Sequence, residues 1–297
     1  MESRTLRHNP SGEQTEVAAR PIWKRLGPRE LVEIFAVFNL SFLALDILLA
    51  HSYNRFRHWA EWIPFVFSCA VPVIMAPAMW VSRLDPRRGA SKWAGLVVGW
   101  VSVIVGVTGM VLHLNSNFFE AMTIKSLVYA APFIAPLSYA GVGMLLILNR
   151  SVISGMAEWS GWVLLLAAGG FFGNFVLSLT DHAQIGFYGG VEWIAVGAGA
   201  LGFAFLLMPV VMNVTSGFVR ICFVVMALQV IVGLVGFGLH VRADLRGRET
   251  SIWDLVHGAP PFAPLLFANI ALLGAIGWWA RGRGEKNFDL RSDNGAT

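Results

Sequence analysis

Charge is scarce in this chain: Asp, Glu, Lys and Arg together make up 13% of its 297 residues. A soluble domain carries about twice that share, so a water-facing surface over the whole molecule is excluded. Cysteine is scarcer still, with Cys69 and Cys222 alone, both inside apolar stretches. That excludes a disulfide framework and a thiolate metal site, and leaves two thiols that pack as small apolar groups. Glycine-rich phosphate loops in their strand context, Ser/His/Asp nucleophile signatures and nucleic-acid modules are missing too. No nucleic acid is expected as a partner.

What is abundant is apolar: 56% of the residues are hydrophobic, and the mean hydropathy is +0.63. Such values describe a polytopic membrane protein whose main partner is the lipid bilayer. Crossing a hydrocarbon core of about 30 Å takes about twenty apolar residues in a helix. Eight stretches meet that length: 31–50, 62–81, 93–112, 127–148, 161–180, 192–212, 218–239 and 260–280. The expected fold is therefore all-α, with eight transmembrane helices.

Threading the chain back and forth assigns 16 of the 22 basic residues to the side of the N-terminus and six (Arg55, Arg57, Lys125, Arg242, Arg246 and Arg248) to the other. The positive-inside rule then puts both termini in the cytoplasm, in a bacterial-type inner (cell) membrane. No cleavable signal peptide is expected, because the first apolar run starts only after 30 polar residues and lacks a small-residue cleavage pattern. Residues 1–28 and 284–297 are expected to be disordered cytoplasmic tails.

The chain repeats itself. His51, Phe56, Glu61, Trp62 and Ile63 recur as His182, Phe187, Glu192, Trp193 and Ile194, a shift of 131. "GVTGMVLH" at 106–113 returns as "GLVGFGLH" at 233–240, a shift of 127, and "APFIAPL" at 131–137 returns as "APPFAPL" at 259–265, a shift of 128. Constant order with small length changes is what a tandem duplication leaves. The expected units are 29–150 and 151–283, each of four helices. An even number makes both halves enter the membrane in the same sense, a parallel repeat about an axis near the membrane normal.

The repeated polar residues are the candidate site. His51, Glu61 and His113 lie at the outer ends of helices 1, 2 and 3, and His182, Glu192 and His240 take the same places in the second half. Interfacial anchoring by the Glu-Trp pairs and capping by the histidines are the plain alternatives. Four and seven residues before His113 stand Gly109 and Gly106, on its helical face, and Gly236 and Gly233 stand likewise before His240. Such strips serve close helix packing or admit the flat face of a macrocycle. Helices 1 and 3 of a four-helix unit are diagonal, so their histidines face each other. His51 with His113, and His182 with His240, then form axial pairs for b-type haem, with Glu61 and Glu192 as partners of the ligands.

Other chemistry uses the same atoms. Two His and one Glu per half are also the ligand set of non-haem iron, with copper a further option, so the enzyme class expected, if any, is a membrane-bound oxidoreductase. A quinone or another apolar substrate, or a redox partner protein, suits either centre. Prolines in helices 2, 4 and 8, with Asp46 inside helix 1, fit a transporter, and a structural membrane subunit needs no centre at all. His58, His257 and Asp46 are unrepeated, facing Gly189, Tyr129 and Leu177 at the same shifts.

In architecture, eight helices in two halves with a histidine pair near the outer face of each, the chain resembles haem A synthase. The Glu-x-x-His-Arg type motifs of that family are absent, so none of its catalytic residues is carried over.

Overall fold

A computed structural model describes residues 26–84, 89–151, 155–245 and 256–294. Among them every regular element is helical. Helix α1 (Pro28–Ser52) starts with proline in its first turn, where a missing N–H costs nothing. A single 3-10 turn, Trp59–Glu61, leads into α2 (Trp62–Leu84), which runs unbroken through Pro72 and Pro77. Then follow α3 (Gly89–Leu114), two short helices α4 (Phe118–Ala121) and α5 (Ile124–Val128), and α6 (Leu137–Ser151). The remaining helices are α7 (Met156–Gln184), α8 (Glu192–Val211), α9 (Ser216–Asp244) and α10 (Leu265–Asn294).

Seven helices are long and apolar enough to cross a membrane: α1, α2, α3, α7, α8, α9 and the first 19 residues of α10. The outward face is apolar as well, with Phe38, Val73, Ile104 and Val224 among its exposed side chains. That surface suits a multi-pass protein in a lipid bilayer and is too continuous for one in water.

The stretch expected as the fourth crossing, 127–148, is not one helix. It is α5, a turn, and the 15-residue α6. Pro132 and Pro136 explain the break, since proline has no amide proton and pushes the residue before it out of the α region. The same chemistry delays α10 to Leu265, after Pro260, Pro261 and Pro264, instead of the expected start near 260. The same turn bonds lead into both helices: Leu137 N to Ile134 O and Tyr139 N to Pro136 O before α6, Leu265 N to Phe262 O and Phe267 N to Pro264 O before α10. At its far end α10 continues to Asn294, into the stretch expected as a tail. No proline interrupts it before the Asn-Gly stop signal at 294–295.

Helices α1 and α3 each pack on both α2 and α6, and α7 and α9 each pack on both α8 and α10. Each set is thus a four-helix ring with α1 diagonal to α3 and α7 diagonal to α9. The rings meet where α6 lies on α7 and α10 lies on α1. Val32, Leu40, Leu146, Trp159, Leu164 and Phe171 fill the buried core along that seam. Asn39 and Asn269 exchange hydrogen bonds across α1 and α10. Near the end opposite the histidines, Arg150 pairs with Glu33, Asn149 donates to the Arg29 carbonyl, and Trp159 Nε1 donates to Asn149.

The glycine strips do not face an open space. A Cβ on Gly106 would lie 2.7 Å from the Ala140 nitrogen and 2.8 Å from the Pro136 oxygen, and one on Gly109 would lie 2.9 Å from Pro136. In the second half, a Cβ on Gly233 would lie 2.9 Å from the Pro264 oxygen, and one on Gly236 would lie 2.8 Å from Pro264. The strips therefore seat the starts of α6 and α10 against α3 and α9. Helix packing, and not a macrocycle face, is what they serve.

Candidate functional site

Each half ends in the same small structure. After His51 the chain turns back through Arg55 and Phe56, at φ 61° and 51°, and after His182 it does so through Gly186 and Phe187, at φ 76° and 53°. The phenylalanine amide bonds back to the histidine carbonyl at 3.0 Å in the first half and 3.1 Å in the second. That is a left-handed helix stop. Phe56 then stacks on Trp62 with ring centroids 4.4 Å apart, and Phe187 on Trp193 at 4.1 Å. The stack fixes where α2 and α8 begin, and so aims the glutamate just before each tryptophan at the histidine. This accounts for the repeated His-x4-Phe-x4-Glu-Trp spacing.

His51 Nδ1 lies 3.7 Å from Glu61 Oε2, and His182 Nδ1 lies 3.8 Å from Glu192 Oε2. In both carboxylates this same Oε2 is buried with no hydrogen-bond partner. Among the described residues only Glu61 has a partner for its other oxygen: Asn54 Nδ2 donates to Glu61 Oε1 at 2.9 Å. Ile185 stands at the matching position of the second half.

The second histidine of each pair is held from the other side. His113 Nδ1 lies 2.9 Å from the Pro132 oxygen, and His240 Nδ1 lies 2.8 Å from the Pro260 oxygen. A carbonyl only accepts, so both rings carry their proton on Nδ1, which leaves Nε2 to coordinate. Residues of the Ala-Pro block thus orient the histidines of the Gly-x-x-Gly block. Both blocks repeat in the sequence, yet the link between them needs the turn before α6 and α10 and is invisible in spacing.

The ring centroids of His51 and His113 are 6.2 Å apart, edge to face at 74°. Two imidazoles binding one ion at about 2.0 Å per nitrogen place their centroids roughly 6 Å apart, so the first pair is spaced for a shared ion. His182 and His240 are near enough to act on each other electrostatically. Among the described residues no cluster of three or more His, Cys, Asp or Glu is arranged to hold a metal. Each glutamate faces the Nδ1 of its histidine and does not complete a triad. This donor set fits a centre that needs two protein ligands, as a b-type haem does, and the filled glycine strips would not form part of its seat.

The unrepeated histidines lie apart. His58 accepts a bond from the Ala60 amide at 3.3 Å and stacks on exposed Trp59. His257 rests against Tyr53, ring centroids 5.1 Å apart, so it is packed over the end of α1 and is not a bare loop residue. The chain matches no protein-family model, no curated protein and no solved structure, and the architectural likeness to haem A synthase gains no support from a match.

Proposed function

We propose that this chain is a redox protein of a bacterial-type inner membrane, built from two tandem four-helix repeats in parallel orientation. The repeats account for paired contacts throughout: the two histidine turns, the two proline-seated helices, and the seam in which α6 on α7 answers α10 on α1. With α6 as a short fourth crossing, the helices number eight, both termini are cytoplasmic, and the histidine ends face outward, as the 16 to 6 division of basic residues favours.

His51 with His113, and His182 with His240, would hold one b-type haem in each half. The observation that carries this reading is that both pairs turn Nδ1 toward an acceptor, a glutamate on one side and a proline carbonyl on the other. That is how a metal-binding histidine is fixed in tautomer and orientation. The haem supplies one-electron redox chemistry. The Pro132 and Pro260 carbonyls hold His113 and His240 in place, while the negative charge of Glu61 and Glu192 strengthens its partner imidazole as a donor and favours the oxidised centre. A quinone is the partner this chemistry suits, since it dissolves where the helices are.

An optical spectrum of the purified protein with metal analysis tests the reading. A Soret band with two haems per chain is expected. Stoichiometric iron or copper without that band would assign the same residues to a non-haem centre, and no metal at all would leave a transporter or a structural subunit.

A further inference from the structure

At the end opposite the histidines, the second half opens a cavity of about 420 Å³ between three helices. The start of α7 contributes Ala157 and Gly161, the end of α8 contributes the run from Pro209 to Asn213, and α10 contributes Arg281. A Cβ on Gly161 would meet nothing within 4 Å, so the α7 backbone there borders open space. The volume is that of a small-molecule site, and its wall carries one cation, Arg281, and one side-chain amide, Asn213, among apolar groups.

Arg281 Nη1 donates to the Pro209 oxygen at 3.1 Å. That carbonyl belongs to the last turn of α8, where helical partners run out, so capping is the plain account of the residue. A hydroxyl serves the equivalent carbonyl of the first half: at the shift of 131 Pro209 corresponds to Ala78, whose oxygen accepts from Ser91 Oγ at 2.8 Å. The carbonyl alone therefore does not call for a cation. A guanidinium carries five N–H donors in a planar fork, more than one carbonyl takes, and that fork matches a phosphate. The two halves differ at this end in the sense an anion needs. Gly161 stands where the first half has Glu30, and Arg281, at the shift of 128, stands where it has Ile153. The surroundings say what carries the anion. Arg281 lies near the end of the apolar part of α10, Leu265–Arg283, with its guanidinium 5.8 Å from the Trp278 ring centroid, while that of Arg283 is 5.0 Å from Trp279. Tryptophan beside arginine marks the membrane–water interface. Val211 and Met212 line the cavity yet are 65% and 51% exposed, an apolar lip at the depth where acyl chains begin.

We propose that this cavity binds the phosphate of an anionic phospholipid, with Arg281 as its charge partner, Asn213 as a neutral donor, and the acyl chains lying along Val211 and Met212. The start of α7 adds the positive end of its dipole, since the N-cap Gly155 offers no side-chain bond to the first amides. Glu158, in that first turn, is exposed and is not part of the lining. Basic recesses between helices on the cytoplasmic side are where anionic headgroups bind, and the topology proposed above puts Arg281 on that side. The proposal rests on the membrane setting and on no metal centre.

Native mass spectrometry of the full chain, released from nanodiscs of equal parts phosphatidylglycerol and phosphatidylcholine, counts the lipids it keeps, and titration of phosphatidylglycerol into the chain in neutral detergent gives the affinity. Preferential retention of one phosphatidylglycerol per chain is expected. Arg281→Gln, and Gly161→Leu, which fills the space with the charge intact, should each weaken that binding about tenfold or more, as loss of a charge-assisted contact does. Arg283→Gln removes the same charge two residues away, outside the cavity, and should change it less than about twofold. Equal retention of the two lipids would overturn the proposal. So would equal losses in Arg281→Gln and Arg283→Gln, the mark of diffuse surface charge. Inorganic phosphate that displaces phosphatidylglycerol at equal concentration would make the ligand a soluble phosphate and end the lipid assignment. If Arg281→Gln does not fold, Gly161→Leu decides alone, because it leaves the bond from Arg281 to Pro209 in place. Haem content is not part of the readout, so failure of the redox reading is registered separately.

Discussion

The first half sets His51 3.7 Å from Glu61 and His113 2.9 Å from the Pro132 oxygen; the second sets His182 3.8 Å from Glu192 and His240 2.8 Å from the Pro260 oxygen. About 10 Å deeper by helical rise, the likeness stops: Tyr139 bonded to Ser68 in one bundle, Phe267 beside Phe171 in the other. Two bundles that keep their ends and change their interiors separate two kinds of demand. The ends are held by directional contacts, each of which needs one residue type, while an interior in lipid is satisfied by any filling that leaves no polar group alone.

The comparison breaks most readily at the seats of α6 and α10. Gly106→Leu and Gly233→Leu drive a side chain into backbone atoms that cannot move aside, and each should lower stability by about 1–3 kcal/mol or prevent folding. A Cβ at Gly161 or Gly169 meets nothing within 4 Å, so alanine there should leave thermal melting followed by tryptophan fluorescence unchanged. If Gly106 and Gly233 tolerate leucine, the strips do not seat α6 and α10.

Exchanging the interiors gives a smaller, asymmetric effect. Phe267→Tyr adds a hydroxyl to a ring packed beside Phe171, and the position equivalent to Ser68 is Gly199, which has no hydroxyl to pair with it, so the change should cost about 1–3 kcal/mol. Serine at 199 is not a remedy, since its Cβ would fall 2.8 Å from the Phe175 backbone. Tyr139→Phe should cost less, about 0.6 kcal/mol, the average for an interhelical hydrogen bond in a membrane. Equal losses in the same melting assay would mean that the two interiors are interchangeable.

Smaller again is the effect expected at the glutamates. Glu192→Gln keeps size but removes charge, so it should raise the midpoint potential of the proposed second centre in a redox titration and spare its metal content. Loss of the metal would make Glu192 a ligand. His58→Ala should change neither quantity.

Much of this architecture is legible in the sequence, because a bilayer asks for apolar runs of a certain length and an all-α membrane protein satisfies that demand openly. The histidine turn is legible too, since Phe56 and Trp62 stack across a spacing that the second half repeats. The break at 129–136 is hidden by its own apolarity: Pro132 and Pro136 sit in a run greasy enough to pass for one span. Tyr139 and Ser68 stay hidden for another reason, being 71 residues apart on diagonal helices. In sequence the Gly106 and Gly233 strips suit packing and a ligand face equally, and Pro136 and Pro264 lying against them decide for packing.

Two separate bis-imidazole centres are the core of the functional reading, and His240→Ala addresses them most directly. The reduced-minus-oxidised optical spectrum and haem content of that variant should show the second centre gone and the first retained, about half the wild-type signal, because only one centre loses an axial bond. Full wild-type content in His240→Ala, or loss of the whole signal at once as a shared dinuclear site would give, contradicts it.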